Sequence, residues 1–599
     1  MAESLAHIPL TAFIALSWLG AGTIVLRRWG RVEDVALDTL NRLALGAVAF
    51  ALATAWLGWL GLLYRWLFLP LFVVTAVVGL REAFLLVRVL PRPTFRRWPR
   101  VERALVALLV VYVLLAVVGT MAPISSPDAL FYHAAGPALF AHDHRLVEMP
   151  WSWQSYQPFN VEMLVLDGML LWNPIQGAFA ALLLSLGAGA TVLCAAYRLA
   201  GRRVALLATA IFVAQPFFIW EATSTFVEGG LALMTLLAAW NLARFRSSGR
   251  VTDAALAGAC AGAAAGMKYV GLAAAAVLAA AGLVLAWRRL RPRAIAAFAT
   301  AAVLVPLSWY VKNAIVTGNP LFPLYFGGAN PEATAAMKIG LDAYGRGRSL
   351  RDAVLLPVRL LTSGSSFDRG DFVSPLFLGL APAALLVRRY RVVVAVILAG
   401  AAAYVAAWFV GSQQARFLIP LMPPFAILAA LGANEIARRT AIGRFVVVAS
   451  VAATLVAGAA VSVVYSAQFV PVALGLQSKD AFLSHKASYY DGFVWLDRHL
   501  PPGAVVVTDI PSGLYLRPPY VVRTREVLPD GADRAATSRF LRRWHVDYIA
   551  FVRGDAPLVK AFTPFEGRLV GSVPVHYVTS RTLNEIGAPD RLLVWQVRK

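Results

Sequence analysis

The chain has 599 residues, of which 59% are hydrophobic and only 15% are charged, and its formal net charge is +23 at pH 7. This composition excludes a soluble globular protein, because uncharged runs of about 20 residues, each long enough to cross a membrane, recur from end to end. The runs lack the alternation of period two that a transmembrane β-barrel requires. The sequence therefore predicts a polytopic α-helical membrane protein.

The basic residues are grouped in short clusters between the apolar runs. These basic clusters occupy residues 27–31, 92–103, 198–203, 244–250, 288–293, 388–391 and 438–444. Such spacing is typical of cytoplasmic loops in membrane proteins, where lysine and arginine accumulate. The positive charge is therefore interpreted as a topology signal, and no nucleic-acid partner is predicted.

The apolar runs predict about 14 membrane-spanning helices with both chain termini outside the cytoplasm. The predicted spans are 7–26, 43–63, 66–89, 104–121, 174–197, 204–220, 228–243, 253–267, 270–287, 294–314, 372–387, 391–410, 415–435 and 444–466. Because the first run has no basic segment before it and ends in arginines, we expect a retained span and not a cleaved signal peptide. Cys194 and Cys260 lie inside apolar runs, which predicts neither a disulfide nor a metal site.

This topology places four less apolar segments on the outer side of the membrane: 122–173, 221–228, 315–371 and 470–599. The last segment predicts a small α/β domain of about 130 residues, a length that can bury its own core. Its predicted elements are a turn and strand at 501–508, a helix at 532–544, and strands at 546–552, 569–573 and 591–597. The segment has no nucleophile elbow, phosphate-binding loop or metal spacing, so no catalytic role is predicted for it.

The first outer loop begins with an acid, Asp128, which follows Ser125-Ser126-Pro127 and precedes Tyr132-His133. A carboxylate just outside a membrane span is a candidate general base, and Tyr132 and His133 are candidate substrate-binding residues. The alternative is a helix N-cap, because Ser-Pro-Asp before an apolar stretch is a helix start signal. His142-Asp143-His144, later in the loop, resembles a metal cluster only in composition, and no metal site is predicted there.

Three further charged residues fall at the outer ends of predicted spans. Glu228 opens a helix, where the helix dipole favours an acid, and it is a candidate second carboxylate. Lys268 follows glycines spaced four residues apart; it is either a functional anion-binding group or a side chain that snorkels to the surface. Arg416 stands apart from the basic clusters, and its planar guanidinium group, which can donate two parallel hydrogen bonds, suits a phosphate or diphosphate. Lys312 and Asn313, before the turn at 318–320, are candidates for headgroup binding or for interface anchors.

The order of these motifs resembles the GT-C superfamily of membrane glycosyltransferases. It is similar to the bacterial branch that holds the protein O-mannosyltransferases and the aminoarabinose transferases of lipid A. The motifs are Asp128 after an early span, Glu228 opening a later one, Gly266-Met267-Lys268-Tyr269, Asn313 with Gly318-Asn319-Pro320-Leu321-Phe322-Pro323, Gln414-Ala415-Arg416-Phe417, and the outer domain. The resemblance covers about residues 104–470, so we expect N-terminal helices of unknown role in 1–103, a transmembrane catalytic module in 104–469 and an outer domain in 470–599.

The resemblance implies an inverting glycosyltransferase of the inner (plasma) membrane that takes a sugar from a polyprenyl-phosphate carrier. The acceptor would be a hydroxyl of a lipid, glycan or protein on the extracytoplasmic side. Asp128 matches the catalytic acid of the family, Glu228 its second acidic position, and Lys268 and Arg416 the residues that hold the lipid phosphate. The family usually has a second acid after the first, where this chain has Ala129, so neither a metal nor another cofactor is predicted. The alternatives are a transporter or flippase of a lipid-linked or anionic substrate, and a non-catalytic membrane scaffold.

Overall fold

The structure is a computed structural model that describes residues 2–29, 34–89, 97–289, 291–328, 330–368, 373–517, 519–524, 526–528, 532–552, 567–578 and 586–597. The α-helices, numbered in chain order, are α1 Ala2–Val25, α2 Val35–Trp59, α3 Arg65–Val89, α4 Arg100–Thr120, α5 Ala135–Asp143, α6 Asn160–Leu171, α7 Pro174–Val213, α8 Pro216–Ala222, α9 Glu228–Ser248, α10 Val251–Ala265, α11 Tyr269–Leu285, α12 Pro292–Leu304, α13 Leu307–Thr317, α14 Pro331–Asp342, α15 Leu350–Thr362, α16 Pro375–Leu380, α17 Arg391–Val410, α18 Met422–Arg439, α19 Ala441–Ala467, α20 Val470–Ala473, α21 Lys479–Lys486, α22 Tyr490–His499 and α23 Arg534–Arg543. The strands are β1 Val506–Thr508, β2 Tyr520–Val522, β3 Tyr548–Val552, β4 Gly567–Val578 and β5 Ile586–Val597.

The predicted class, a polytopic helical membrane protein with a small α/β tail, is confirmed. Within the described residues, 8 helices are long and apolar enough to cross a membrane, and the bent pair α12 and α13 would make a ninth span. Each of the other predicted spans coincides with a shorter or less apolar helix. How many of the helices cross the membrane stays a prediction.

The long helix α7 shows why two spans were predicted where one helix of 40 residues is found. Its backbone leaves the helical conformation at Ala200 and at Gly201, whose φ of 79° is a conformation that favours glycine. The break lies in the basic cluster 198–203 that separates the predicted spans 174–197 and 204–220. α7 is therefore two apolar helices joined at a polar break.

Described residues of three basic clusters contact one another. Nε of Arg202 donates a 2.6 Å hydrogen bond to Glu102, and Arg198 is paired with Asp34. The hydroxyl of Tyr390 donates a 2.8 Å hydrogen bond to the carbonyl of Leu199. These contacts place Glu102 and Tyr390, which belong to two other basic clusters, next to residues 198–203. The placement of all the basic clusters on one side of a membrane, and the orientation of that side, stay predictions.

The three N-terminal helices pack directly on the rest of the bundle. α1 and α3 approach so closely that a Cβ on Gly20 would lie 1.8 Å from the carbonyl oxygen of Thr75. Nδ1 of His7 in α1 lies 2.8 Å from Oε1 of Gln176 in α7, and Thr54 in α2 donates a 2.6 Å hydrogen bond to Asp167 in α6. Buried polar contacts of this kind hold helices in a defined register.

In the described part of the tail, five strands form one sheet in the order β2-β1-β3-β5-β4. β1 pairs in parallel with β2 and β3, and β5 pairs antiparallel with β3 and β4. The tail packs against the first outer loop. The hydroxyl of Tyr515 donates a 2.8 Å hydrogen bond to the carbonyl of Ile124, and that of Thr524 donates one of 3.0 Å to the carbonyl of Trp151. The sheet thus reaches the chain segment that leads to Asp128.

Candidate active site

The loop that carries Asp128 leaves the end of α4 and enters a rare type of helical turn. Residues Ala129–His133 form a π-helix, closed by a 2.9 Å hydrogen bond from the amide of Ala134 to the carbonyl of Ala129. Turns of this type occur frequently at functional sites. Asp128 precedes the turn with a helical backbone, and its side chain makes no capping hydrogen bond. Asp128 therefore lies at the start of a helical turn, as the N-cap interpretation predicts, but its side chain does not cap that turn.

Asp128 is paired with Arg416, which lies in the 3₁₀-helix Ala415–Leu421. Nη2 of Arg416 donates a 2.6 Å hydrogen bond to Oδ2 of Asp128; the Arg416 side chain is 7% exposed and that of Asp128 is 37% exposed. Nε of Arg416 lies 3.8 Å from Oδ2 of Asp368, which also accepts a 3.1 Å hydrogen bond from Gln414. The buried guanidinium therefore has a carboxylate on each side, as a charge removed from water requires.

Lys268 is paired with Glu228. It lies in extended conformation between α10 and α11, and its Nζ donates a 2.9 Å hydrogen bond to Oε1 of Glu228, the first residue of α9. Both side chains are buried, and the ammonium lies 4.7 Å from the centre of the Phe417 ring. Lys268 is therefore held inside the protein, and the alternative that it snorkels to the surface is wrong.

A cavity of about 340 Å³ brings four of the predicted residues to one place. Asp128, Lys268 and Arg416 line it, together with Tyr132. The rest of its wall is largely apolar and comes from α11, α17 and the outer segment 315–371; examples are Val270, Leu324, Leu341 and Trp408. This larger cavity can therefore hold a molecule with an anionic group at one end and an apolar remainder.

A smaller cavity, of about 100 Å³, meets the larger one at the Asp128–Arg416 pair. Asp128 and Arg416 line both cavities. The other lining residues of the smaller cavity come from the first outer loop, the tail and neighbouring segments, among them Ser126, Trp220, Asp368, Lys486 and Ser512. The carboxylate of Asp128 thus lies where contents of the two cavities could meet.

The charge of Asp128 is set by its surroundings. Burial acts to raise the pKa of Asp128, but the adjacent Arg416 guanidinium, with smaller contributions from His133 and Lys268, outweighs it and holds that pKa below its ordinary value. Asp128 is therefore a carboxylate at neutral pH, and it accepts protons less readily than a free aspartate while Arg416 is bound to it.

His133 lies beside the larger cavity without lining it. Nδ1 of His133 lies 2.6 Å from Oε1 of Glu162, and both side chains are almost completely buried. The imidazole also packs against Tyr132, with the ring centres 4.0 Å apart. These contacts make His133 a support for Tyr132, whereas its predicted contact with substrate stays a prediction.

Lys312 and Asn313 lie on α13 and hold the neighbouring loops. Nδ2 of Asn313 donates hydrogen bonds of 2.7 Å to the carbonyl of Tyr156 and 2.9 Å to the hydroxyl of Tyr269, which lines the larger cavity. Nζ of Lys312 donates one of 3.3 Å to the carbonyl of Ser155. Neither residue lines the larger cavity, and their predicted contact with a headgroup stays a prediction.

The segment His142-Asp143-His144 does not converge on one point. His142 lies 2.8 Å from Asp143, but His144 turns away to stack on Tyr64, with ring centres 4.2 Å apart. No group of three or more His, Cys, Asp or Glu side chains that could hold a metal is found in the part of the chain that the structure describes. Metal independence stays a prediction.

Three buried acids of this region were not predicted as site residues. Asp368 faces Arg416, Glu162 faces His133, and Glu221 in α8 lies against Glu228. Glu221 and Asp368 each lie in a segment that the topology placed outside, and Glu162 lies in the first outer loop. Outer acids next to apolar residues were thus a usable signal, but their sequence positions do not indicate which charged side chain each acid contacts.

Comparison with known proteins matches one family model and finds similar solved structures. The family model described as dolichyl-phosphate-mannose-protein mannosyltransferase matches residues 175–320. No curated protein matches the sequence. The structure is similar to ArnT from Cupriavidus metallidurans bound to undecaprenyl phosphate, with TM-score 0.51 and 17% identity over 82% of this chain and 97% of that one. For ArnT from the same organism in the apo state the TM-score is 0.53, with 17% identity over 83% and 98% of the two chains. The chain has the GT-C fold.

The predicted resemblance to the GT-C superfamily is thereby confirmed at the level of the fold. The segment matched by the family model contains Glu228, Lys268, Lys312 and Asn313. Asp128 and Arg416 lie outside it, on either side in sequence. The candidate site of this chain therefore combines residues inside the segment that the family model matches with residues outside it, and tertiary contacts bring them together.

Proposed function

We propose that the chain is an inverting glycosyltransferase that moves a sugar from a polyprenyl-phosphate carrier to an acceptor hydroxyl on the extracytoplasmic side of the membrane. The observation that carries the proposal is the convergence of Asp128, Lys268 and Arg416 on the larger cavity. A lipid-linked sugar phosphate requires cations for its phosphate, an apolar surface for its lipid and a carboxylate near the sugar, and this cavity has all three.

The donor would occupy the larger cavity. Its phosphate would bind Arg416 and Lys268, because a forked guanidinium and a compact ammonium both bind phosphate oxygens well. Its polyprenyl chain would lie along the apolar wall that includes Val270 and Leu324. The similar structure of ArnT bound to undecaprenyl phosphate supports a polyprenyl phosphate as the carrier.

The acceptor hydroxyl would approach from the smaller cavity, which the tail helps to line. Its oxygen attacks the anomeric carbon as the bond from that carbon to the phosphate oxygen breaks, and a single displacement inverts the configuration. Asp128 takes the hydroxyl proton as general base. Arg416 and Lys268 stabilise the charge that develops on the departing phosphate.

Glu228 has an indirect role in this proposal. Its side chain is 0% exposed, contacts Lys268 and does not line the larger cavity. We therefore assign it as a positioning residue that keeps Lys268 charged and oriented, and not as a group that touches the sugar.

The test is transfer by the purified protein from a panel of polyprenyl-phosphate sugars, comparing wild type with Asp128→Asn. The matched control is Asp143→Asn, which removes an exposed carboxylate from the same loop. Loss of a general base lowers rates by about 10²–10⁴-fold, so we expect that loss for Asp128→Asn and near-normal transfer for Asp143→Asn. Equal transfer by the two variants would contradict the role of Asp128. Movement of an intact lipid-linked sugar across vesicles, with no bond broken, would favour a transporter.

A further inference from the structure

Arg416 contacts the proposed base and, in the proposed function, would also contact the donor phosphate. Its Nη2 is hydrogen-bonded to Asp128 at 2.6 Å, while its buried Nε has no hydrogen-bond partner among the described residues. Arg416 lines both cavities and is 7% exposed, so a phosphate in the larger cavity must approach a guanidinium that Asp128 already occupies.

We propose that the donor phosphate and Asp128 compete for Arg416, so that donor binding loosens the ion pair and converts Asp128 into an active base. This inference rests on the proposed function and adds a control step to it. Without donor, Arg416 holds Asp128 in a weakly basic state. With donor bound, the guanidinium is shared with phosphate, and Asp128 becomes free to accept the proton of an acceptor hydroxyl.

The charge balance of the reaction agrees with this role. The donor phosphodiester carries one negative charge, and cleavage of its bond to the sugar leaves a phosphate monoester that carries two. Asp128 loses its negative charge when it takes the acceptor proton. One negative charge therefore moves from Asp128 to the phosphate. Arg416 contacts Asp128 and, in the proposed function, is also adjacent to the phosphate.

The neighbouring charges limit which ion pair can open. Asp128 faces Arg416, His133 and Lys268, and Arg416 faces Asp128, Glu228, Tyr132 and Asp368. Asp128 is 37% exposed and borders both cavities, so its carboxylate can turn towards the smaller cavity when Arg416 is shared. Glu228 is 0% exposed and has no such space, so the Lys268–Glu228 pair stays closed.

The lowered pKa of Asp128 supports the same conclusion. Because Arg416 is the main group that lowers it, sharing Arg416 with an anion raises the pKa of Asp128 towards its ordinary value. A base of higher pKa accepts a proton more readily, so the carboxylate gains basicity only when a donor is in place.

The experiment measures the affinity of the detergent-purified protein for the methyl phosphodiester of undecaprenyl phosphate, which keeps one charge across the pH range used and cannot donate a sugar. Wild type is compared with Asp128→Asn, which removes the proposed competitor, and with Asp368→Asn. The latter removes a carboxylate charge from beside the same guanidinium, but at the longer distance of 3.8 Å. It therefore controls for the general effect of losing one negative charge. Thermal unfolding of each variant shows that it is folded.

We expect Asp128→Asn to bind the phosphodiester about tenfold more tightly than wild type, because a charge-assisted contact no longer has to be broken. Asp368→Asn should differ from wild type by less than about threefold. Equal or weaker binding by Asp128→Asn, or the same gain in both variants, would overturn the competition. Absence of phosphodiester binding by wild type and both variants would overturn the donor assignment, and the competition with it.

Discussion

Arg416 and Asp128 are 288 positions apart in sequence, yet Nη2 of the arginine donates a 2.6 Å hydrogen bond to the carboxylate of the aspartate. The pair stands where the two cavities meet, and it joins a residue expected to hold phosphate to the residue expected to remove a proton. In the proposed function, substrate binding and proton transfer would therefore be linked through this ion pair.

The pairing predicts how activity depends on pH. Because Arg416 lowers the pKa of Asp128, the wild-type carboxylate stays ionised as the pH falls, and the acidic limb of kcat/KM should lie below the ordinary aspartate range. Arg416→Gln removes the main group that lowers this pKa and leaves the burial that raises it, so the acidic limb of its residual activity should move to higher pH. Arg416→Lys keeps a positive charge, so the pH of its acidic limb should lie between that of wild type and that of Arg416→Gln. A limb at the same pH in all three proteins would show that Asp128 is not the titrating base.

Removal of Lys268 should harm folding as well as donor binding. Lys268→Met leaves the buried Glu228 carboxylate without its cation, and breaking a buried pair in this way costs about 3–5 kcal/mol. The double variant Lys268→Met/Glu228→Gln removes both charges, so it should recover much of the thermal stability and still bind polyprenyl phosphate weakly. Lys338→Met, at an exposed lysine of α14, is the matched control. Normal lipid-phosphate affinity in the double variant would remove Lys268 from the donor site.

The contact between the tail and the first outer loop predicts an effect on rate. Tyr515→Phe removes the 2.8 Å hydrogen bond to the carbonyl of Ile124, a contact worth about 0.5–1.5 kcal/mol. Because Ile124 lies shortly before Asp128, we expect kcat to fall about two- to tenfold with little change in the KM for donor. Tyr577→Phe, at a half-exposed tyrosine of β4, provides the comparison. An unchanged kcat in Tyr515→Phe would mean that the tail does not position the loop.

The membrane orientation is testable by labelling of single cysteines. In a background with Cys194→Ala and Cys260→Ala, Arg498→Cys on α22 and Arg246→Cys on α9 each introduce one exposed thiol. If the basic clusters are cytoplasmic, an impermeant maleimide added to intact cells should label Arg498→Cys only, and Arg246→Cys should react after permeabilisation. The reverse pattern would invert the proposed topology and move the site to the cytoplasmic side.

Most helices and strands of the chain were predictable from the sequence, because the hydropathy pattern that favours each of them lies within that segment. Runs such as 104–121 and 444–466 coincide with α4 and α19, and the tail strands at 546–552 and 591–597 coincide with β3 and part of β5. The break in α7 at Ala200 and Gly201 lies between the predicted spans 174–197 and 204–220, whereas the end of α7 at Val213, inside the second span, was not foreseen. Asp128, Lys268 and Arg416 were found by their isolation at the outer ends of spans.

The sequence by itself determined the helical membrane class, the grouping of basic residues and the identity of four residues that line the larger cavity. These properties depend on composition within about 20 residues, the length needed to cross a membrane. Only the tertiary structure decided that Asp128 contacts Arg416, that Glu228 contacts Lys268, and that Asp368 is the second carboxylate beside Arg416. The pairing of buried charges depends on which helices pack together. The sequence separation of two residues does not indicate the distance between them in the fold.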